Sequence, residues 1–448
     1  MDAQGFVKNT ATTAVTQFLN LLFGLLSTIL LARLLGPEGK GLYTLTILLP
    51  TLVVTFFNGG IGPSTVYHVA QARFPLDEVV INNMMLALMI GCAGALGGGG
   101  LIYFWGGKFF PDVPQKYLWM ALLLIPTGLL FTYLQAIFQG LQRFFEFNLV
   151  SLLYASLFLA FVFIALWVLE KGVLGAVVAG ISAWFLTDAV LFVMLKKRIG
   201  ITSLRLNKPY LKRVLEYGIQ FHLGNIVGFL NYKADLFLIN VFLNPAAVGF
   251  YSVSVALVEK LWLVSQAASA VLFPGIAAEK GEKARNKITP FVARSIFWLS
   301  LVSALILLCL SRWVVTFLYS PTYLSSVYPL QILLPGIVAL NVGRILANDI
   351  AGRGYPILNT YLGIAAFTIN VALNVLWIPE HGIAGAALAS SISYSVILIG
   401  GLVIYCRLSG NSWLKVFAPQ PGDWMVYRRT GIGLGKWMGE RVRGKLRR

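Results

Sequence analysis

Leu166-Trp167-Val168-Leu169-Glu170-Lys171-Gly172-Val173-Leu174-Gly175-Ala176 returns 210 residues later as Leu376-Trp377-Ile378-Pro379-Glu380-His381-Gly382-Ile383-Ala384-Gly385-Ala386. In both copies an apolar run ends, a short polar turn follows, and a second apolar run begins. Two other places keep nearly the same period. Leu35-Gly36-Pro37-Glu38-Gly39-Lys40-Gly41-Leu42-Tyr43-Thr44 aligns with Leu243-Asn244-Pro245-Ala246-Ala247-Val248-Gly249-Phe250-Tyr251-Ser252, and Leu124-Ile125-Pro126 aligns with Leu333-Leu334-Pro335. Self-similarity at a fixed period marks a chain built from two similar halves. Proline without an amide hydrogen and glycine without a β-carbon explain why the turns keep these residues.

The runs between the turns set the fold class. The 448 residues are 58% hydrophobic and 12% charged, with a mean hydropathy of +0.79, whereas a soluble domain carries about 25% charged residues. Twelve apolar stretches are each long enough for a hydrocarbon core about 30 Å thick. They lie near 11–32, 42–62, 80–104, 117–139, 148–169, 174–195, 214–243, 246–276, 291–318, 327–350, 356–378 and 383–406. The expectation is an all-α integral membrane protein of about twelve transmembrane helices. Six spans per half send both halves into the membrane in the same direction, which predicts two parallel-repeat lobes around a central cavity, related by an axis along the membrane normal. The organisation read from this pattern is a six-helix lobe over 1–195, a basic linker over 196–213, a second lobe over 214–406 and a basic tail over 407–448. The first span, after Lys8, reads as an uncleaved signal anchor.

Charge fixes an orientation and argues against nucleic acid as the partner of a chain with net charge +18. With the N-terminus placed in the cytoplasm, 26 of the 35 Lys and Arg fall on the inner side, six on the outer side, and Lys233, Lys260 and Arg344 inside spans. That is the positive-inside pattern, with both termini cytoplasmic in an inner membrane. The tail interleaves ten basic residues with Trp413, Trp424 and Trp437, a composition suited to an anionic leaflet. Membrane lipids are therefore expected partners. Cys92, Cys309 and Cys406 sit in spans or at a span end without metal-like spacing, so neither a disulfide framework nor a metal site is expected.

Ionisable residues inside spans are costly and are functional candidates by default. Those here are Asp188, His222, Lys233, Asp235, Glu259, Lys260, Arg344 and Asp349, with Glu216 near a span start. Lys233, Lys260 and Arg344, joined by Arg33 near the outer end of the first span, are candidates to hold an anionic headgroup such as a diphosphate. Asp235, Glu259 and Asp188 are candidates for coupling to a proton or a sodium ion. Internal ion pairs between helices are the structural alternative for each. Three in-span cations against four acids would make a cavity positive only if the carboxylates point elsewhere. Pro126 and Pro335, at equal depth in the two halves, are candidate flex points or static kinks. The glycines Gly91, Gly94 and Gly97 to Gly100 predict close helix packing. No nucleotide-binding loop, nucleophile elbow or pair of metal-spaced histidines is present, so a transporter without catalytic residues or cofactors is expected rather than an enzyme.

At Leu31-Ala32-Arg33-Leu34-Leu35-Gly36-Pro37-Glu38-Gly39-Lys40-Gly41-Leu42-Tyr43, Asp235-Leu236-Phe237-Leu238-Ile239-Asn240, Val248-Gly249-Phe250-Tyr251-Ser252-Val253 and Phe273-Pro274, the chain resembles the polysaccharide-transport branch of the multidrug/oligosaccharidyl-lipid/polysaccharide exporter superfamily. The resemblance runs over about residues 5–406 and implies a flippase for a polyprenyl-diphosphate-linked oligosaccharide in cell-surface polysaccharide biosynthesis. It implies a V-shaped pair of lobes that rock by alternating access, with a glycan polymerase or ligase as a further partner. Flippases of the peptidoglycan precursor resemble this layout but carry two more helices. Drug exporters of the same superfamily share the twelve-span layout, which keeps cation-coupled export of small amphiphiles as the other reading.

Overall fold

The computed structural model describes residues 3–198, 207–263, 281–420 and 423, with 265, 266, 268, 269, 272 and 276 between them; side chains are described from Val15 onward, except at 198, 220, 221, 223, 225, 283 and 284. Phe273-Pro274, part of the linker and the tail from 424, with Trp424 and Trp437, lie outside the described residues. Among the described residues there is helix and no strand, as lipid requires of a chain that must satisfy its own backbone. The helices are α1 (Ala3–Phe57), α2 (Ile61–Ala70), α3 (Leu76–Phe109), α4 (Gln115–Ala121), α5 (Leu124–Gly140), α6 (Phe144–Phe163), α7 (Gly172–Arg198), α8 (Lys208–Phe242), α9 (Pro245–Val258), α10 (Glu282–Leu318), α11 (Val327–Gly352), α12 (Pro356–Ser409) and the short α13 (Leu414–Phe417).

Eight helical stretches among the described residues are long and apolar enough to cross a membrane. Two of them each hold two spans, because α1 kinks at Gly36 (φ 68°, ψ 178°) and α12 at Gly382 (φ 60°, ψ −141°). Those positive φ values are open to glycine and strained for residues with a β-carbon. α8 fills the expected stretch 214–243, and α9 begins the expected stretch 246–276, which is described continuously only to Leu263. The second span is longer than expected, since the chain re-forms as α2 after the Gly59-Gly60 break and runs to Ala70. Threonines on α1 return their hydroxyls to carbonyls four residues back, Thr44 to Lys40 at 2.8 Å and Thr46 to Leu42 at 2.7 Å. Each is thereby satisfied without water.

Two compact units divide the chain, and they cut across its sequence halves. The first comprises Met1–Ala256, Leu310–Ile332 and Phe367–Ser390; the second comprises Leu257–Cys309, Leu333–Ala366 and Ser391–Arg448. In the first unit the glycine face of α3 meets α4 and α5 as expected: Gly91 lies on Pro126, Gly98 on Leu122 and Gly99 on Trp119. Tyr154 stacks on Trp184 at 3.9 Å and Phe131 meets Trp184 edge-on at 4.6 Å, joining α5, α6 and α7. The turn at Gly36 and the turn before α9 also cross each other in this unit, glycine against proline carbonyl in both directions. Beside that crossing Tyr323 Oη donates to the Ala32 carbonyl at 3.0 Å. The second unit packs Ile296, Val342, Ile345, Leu346, Tyr405 and Val416 into one apolar cluster.

The two matched prolines behave differently. Pro126 lies just after a break, where α4 ends at Ala121 and α5 begins at Leu124 through turns such as Ile125 N to the Leu122 carbonyl, 3.1 Å. Pro335 sits inside the uninterrupted α11.

Candidate functional site

Asp235 is 2% exposed, and its carboxylate is the centre of a polar cluster inside the first unit. Tyr251 Oη donates to it at 2.6 Å, the Leu236 amide at 2.8 Å and Ser390 Oγ at 3.3 Å. The Asn370 amide reaches Ser390 Oγ at 3.3 Å, and Asn374 donates to the carbonyl and side chain of Asn370 at 2.8 and 3.1 Å. Asn374 Oδ1 has no partner among the described residues. A carboxylate, hydroxyls and an amide oxygen left open form a buried, oxygen-rich cluster, the donor chemistry that a proton or a small hard cation such as sodium requires. Asn370 and Asn374, one helical turn apart on α12, carry no charge, so a search for ionisable residues passes over them. Their signal was the i, i+4 spacing of two asparagines in an apolar run.

Lys260, Arg344 and Glu259 all belong to the second unit. The α9 helix tightens into a 3-10 turn at Glu259–Leu261, where its two charges fall, with helical backbone at Val258 before it and at Trp262 after it. Lys260 and Arg344 are half-buried. The Arg344 guanidinium lies 4.2 Å from the centre of the Trp262 ring, a cation–π contact that holds the charge in a fixed place. Asp349 leaves the list of free acids. It is fully buried, ion-paired with Arg353 and bonded by Thr289 Oγ1 at 2.5 Å, while Arg353 also reaches Asn286 at 2.8 Å. The internal ion pair is therefore the right reading of Asp349, and the in-span charge balance shifts toward the cations.

The remaining candidates are dispersed. Arg33 donates from Nε to the Leu318 carbonyl at 2.8 Å and from Nη2 to the Phe317 carbonyl, capping the C-terminal end of α10. A cation there satisfies carbonyls that the helix leaves open and opposes its dipole. Its geometry is that of a helix cap rather than a headgroup ligand. Lys233 is half-buried on α8, two residues from Asp235. Asp188 is 4% exposed on α7, and neither of its oxygens has a partner among the described residues. His222 contacts the Phe56 carbonyl at 2.8 Å, tying α8 to α1.

A second polar cluster carries no charge and so gives no signal in the sequence. Asn83 on α3 donates to Thr65 Oγ1 at 3.0 Å and to the Tyr133 carbonyl at 3.2 Å, and accepts from Tyr210 Oη at 2.7 Å. Nearby, the Asn207 amide donates to Asn82 at 3.0 Å. These bonds fasten the start of α8 to α2 and α3.

The model of the family described as "Polysaccharide biosynthesis protein" matches residues 6–279. The chain belongs to this family. Among similar proteins is the "Putative O-antigen transporter" of Shigella flexneri, 24% identical over 373 residues that cover 81% of this chain and 88% of that protein. The "Uncharacterized membrane protein MJ1068" of Methanocaldococcus jannaschii is 26% identical over 214 residues, 47% of this chain, and the match spans only 42% of that relative's length. Solved structures share the fold at low identity. An inward-facing multidrug resistance MATE family transporter of the MOP superfamily has a TM-score of 0.75 at 17% identity, over 87% of this chain and 94% of that one. "Lipid II flippase MurJ, inward closed conformation" has a TM-score of 0.73 at 14% identity, over 97% and 99%. The fold is thus the twelve-helix, two-lobe one of these multi-pass membrane transporters.

Proposed function

We propose that this family member is a flippase that moves a polyprenyl-diphosphate-linked oligosaccharide from the cytoplasmic to the outer leaflet of the inner membrane by alternating access. Lys260 and Arg344, both in the second unit, would hold the diphosphate, and Lys233 is a separate candidate within the first unit. The observation that carries this reading is a pair of half-buried cations in one unit, Lys260 in the 3-10 turn Glu259–Leu261 and a tryptophan-braced Arg344, while Asp349 is neutralised by Arg353. Two half-buried cations suit a dianionic headgroup, since charge-assisted bonds to phosphate gain strength away from water. The family match and the likeness to an O-antigen transporter support the same substrate class.

Asp235, with Ser390, Asn370 and Asn374, would bind the proton or sodium ion that drives the cycle, and Asp188 and Glu259 remain the secondary coupling candidates. A glycan polymerase or ligase would act on the delivered product.

The deciding experiment places purified protein in proteoliposomes with a fluorescent polyprenyl-diphosphate oligosaccharide and reads headgroup accessibility from outside. Protein-dependent transfer between leaflets is expected, with at least tenfold loss in Lys260→Ala and Arg344→Ala, about 1.4 kcal/mol or more of headgroup interaction. No transfer by the wild type, with or without a proton or sodium gradient, would remove the flippase reading. The likeness to a multidrug transporter favours a second reading, cation-coupled export of small amphiphiles. Drug sensitivity with intact surface glycans in cells lacking the protein would select it.

A further inference from the structure

The two copies of the Leu-Trp-x-x-Glu-x-Gly turn are alike in sequence and unlike in backbone. Both copies place the matched glycine at positive φ, Gly172 at 55° and Gly382 at 60°, but in the second half the helix runs up to that kink without a π-turn, and Gly385 is pressed against the Trp377 carbonyl, where a β-carbon would stand 2.4 Å from the oxygen. In the first half α6 ends in a π-turn, Ile164–Val168. Leu169 N donates to the Ile164 carbonyl at 2.9 Å and Lys171 N to the Ala165 carbonyl at 3.0 Å. Gly175, the counterpart of Gly385, packs first on the Lys171 stem: a β-carbon on it would lie 2.7 Å from Lys171 Cβ, 3.2 Å from Ala165 Cβ and 3.3 Å from the Ala165 oxygen. π-Turns inside helices often mark functional sites.

A groove of about 300 Å³ runs between α6 and α7, lined by Phe161, Ile164, Ala165, Leu174 and Val178, with Lys171, in the turn between the helices, at its mouth. From Lys171 to Ser182 at its far end the α7 rise is about 16 Å, half of a hydrocarbon core about 30 Å thick. The groove therefore has the length of one leaflet's chain. Glu170 lines a separate cavity with Leu34, Leu166 and Trp167. No ion pair joins Lys171 to a described carboxylate, whereas His381 in the equivalent slot lies 3.9 Å from Glu380.

We propose that this groove binds one acyl chain of an anionic phospholipid, with the phosphate held by the Lys171 ammonium. An apolar channel one leaflet long, open to the bilayer and closed at headgroup height by a single cation, is complementary to a hydrocarbon chain bearing a negative head. The site is separate from the proposed headgroup residues, and its existence does not depend on the flippase reading.

The test is native mass spectrometry of the full chain exchanged into equal amounts of phosphatidylglycerol and phosphatidylcholine with identical chains. Wild type is expected to retain phosphatidylglycerol preferentially. Lys171→Ala should cut that preference about fivefold, the scale of one basic residue at a lipid surface. Ala165→Phe, which fills the groove and keeps Lys171, should lower retention of both lipids, and Glu170→Ala should leave retention unchanged. If Ala165→Phe fails to fold, Val178→Trp, at a position 42% exposed on the groove wall, fills the same space. Equal phosphatidylglycerol retention by wild type and Lys171→Ala overturns the proposal. Displacement of phosphatidylglycerol by an equimolar polyprenyl phosphate also overturns it, since the groove would then belong to isoprenoid chains.

Discussion

Gly41 meets Pro245 backbone to backbone: a β-carbon on Gly41 would stand 1.6 Å from the Pro245 carbonyl oxygen. The contact is returned, since a β-carbon on Gly249 would stand 1.9 Å from the Pro37 oxygen. Pro37 and Pro245 are 208 residues apart, as are Gly41 and Gly249, so the internal repeat crosses itself with pseudo-twofold symmetry. This end of the first unit is closed by main chain, with Arg33 and Tyr323 bonded alongside.

Gly41→Ala should pry this end apart, because no flexible side chain is available to yield. Spin labels at the exposed positions Glu38 and Asn244 are expected to report a longer and broader distance in Gly41→Ala and Gly249→Ala than in the parent. Gly100→Ala, where a β-carbon meets nothing within 4 Å, should leave the distance unchanged.

Asp235→Asn should keep the fold and lose the ion response. The amide can still accept from Tyr251 and Ser390, but it carries no charge to exchange. Sodium-dependent thermal shifts, measured against choline at several pH values, should disappear in Asp235→Asn and weaken in Asn374→Ala. A full sodium or proton response in Asp235→Asn would move coupling to Asp188 or Glu259.

The Asp349–Arg353 pair is a stability element. Asp349→Ala strands a buried guanidinium and should cost about 3–5 kcal/mol, whereas replacing both partners with apolar residues should recover much of that loss. Thermal unfolding in detergent across the Asp349→Ala, Arg353→Met and double variants reads the coupling directly.

Asp423 gives the tail a measurable pH dependence. Arg294 binds its two oxygens at 2.6 and 2.9 Å and also reaches the Lys415 carbonyl at 2.5 Å, while Trp298 donates to the Phe417 carbonyl at 3.0 Å. Hydrogen bonding from Arg294 holds the Asp423 carboxyl below the ordinary carboxylate value. A depressed folded-state value means the stabilisation is complete above the ordinary range and is lost as pH falls through the lowered one. Hydrogen exchange over residues 411–420, corrected for intrinsic rates, should therefore stay slow through mildly acidic pH and rise only in stronger acid. Asp423→Asn should show the fast behaviour at neutral pH.

The breaks and packing faces are legible in the sequence wherever one residue type has one mechanical reason to be present. Gly36 and Gly382 mark the kinks because their backbone angles exclude most other residues, and Gly91, Gly98 and Gly99 mark contacts because a β-carbon would collide there. The match of Pro126 to Pro335 holds in sequence but does not carry over to the backbone. A missing amide hydrogen breaks the ladder only where neighbouring turns also tighten, as they do before α5 and not within α11. Charge is legible as location and not as partnership: Asp349 and Arg353 are four residues apart and ion-paired, yet hydropathy places one in a span and the other in a loop. The Asp235 cluster is half legible, since its carboxylate stands out in an apolar run while Asn370, Asn374 and Ser390 are polar without being costly enough to attract notice.

The π-turn before Lys171 bears on how this chain tolerates insertions and deletions. Because Leu169 N bonds five residues back rather than four, the segment holds one residue more than an α-helical path needs. Deleting one residue between Ile164 and Val168 would let the α-ladder re-form with the following turn kept on its face, whereas one further insertion there has no slack left to absorb it and would rotate that turn by about 100°. With that insertion Lys171 would leave the mouth of the groove without any change to its own codon, so one insertion could remove the site that distinguishes the first half from the second.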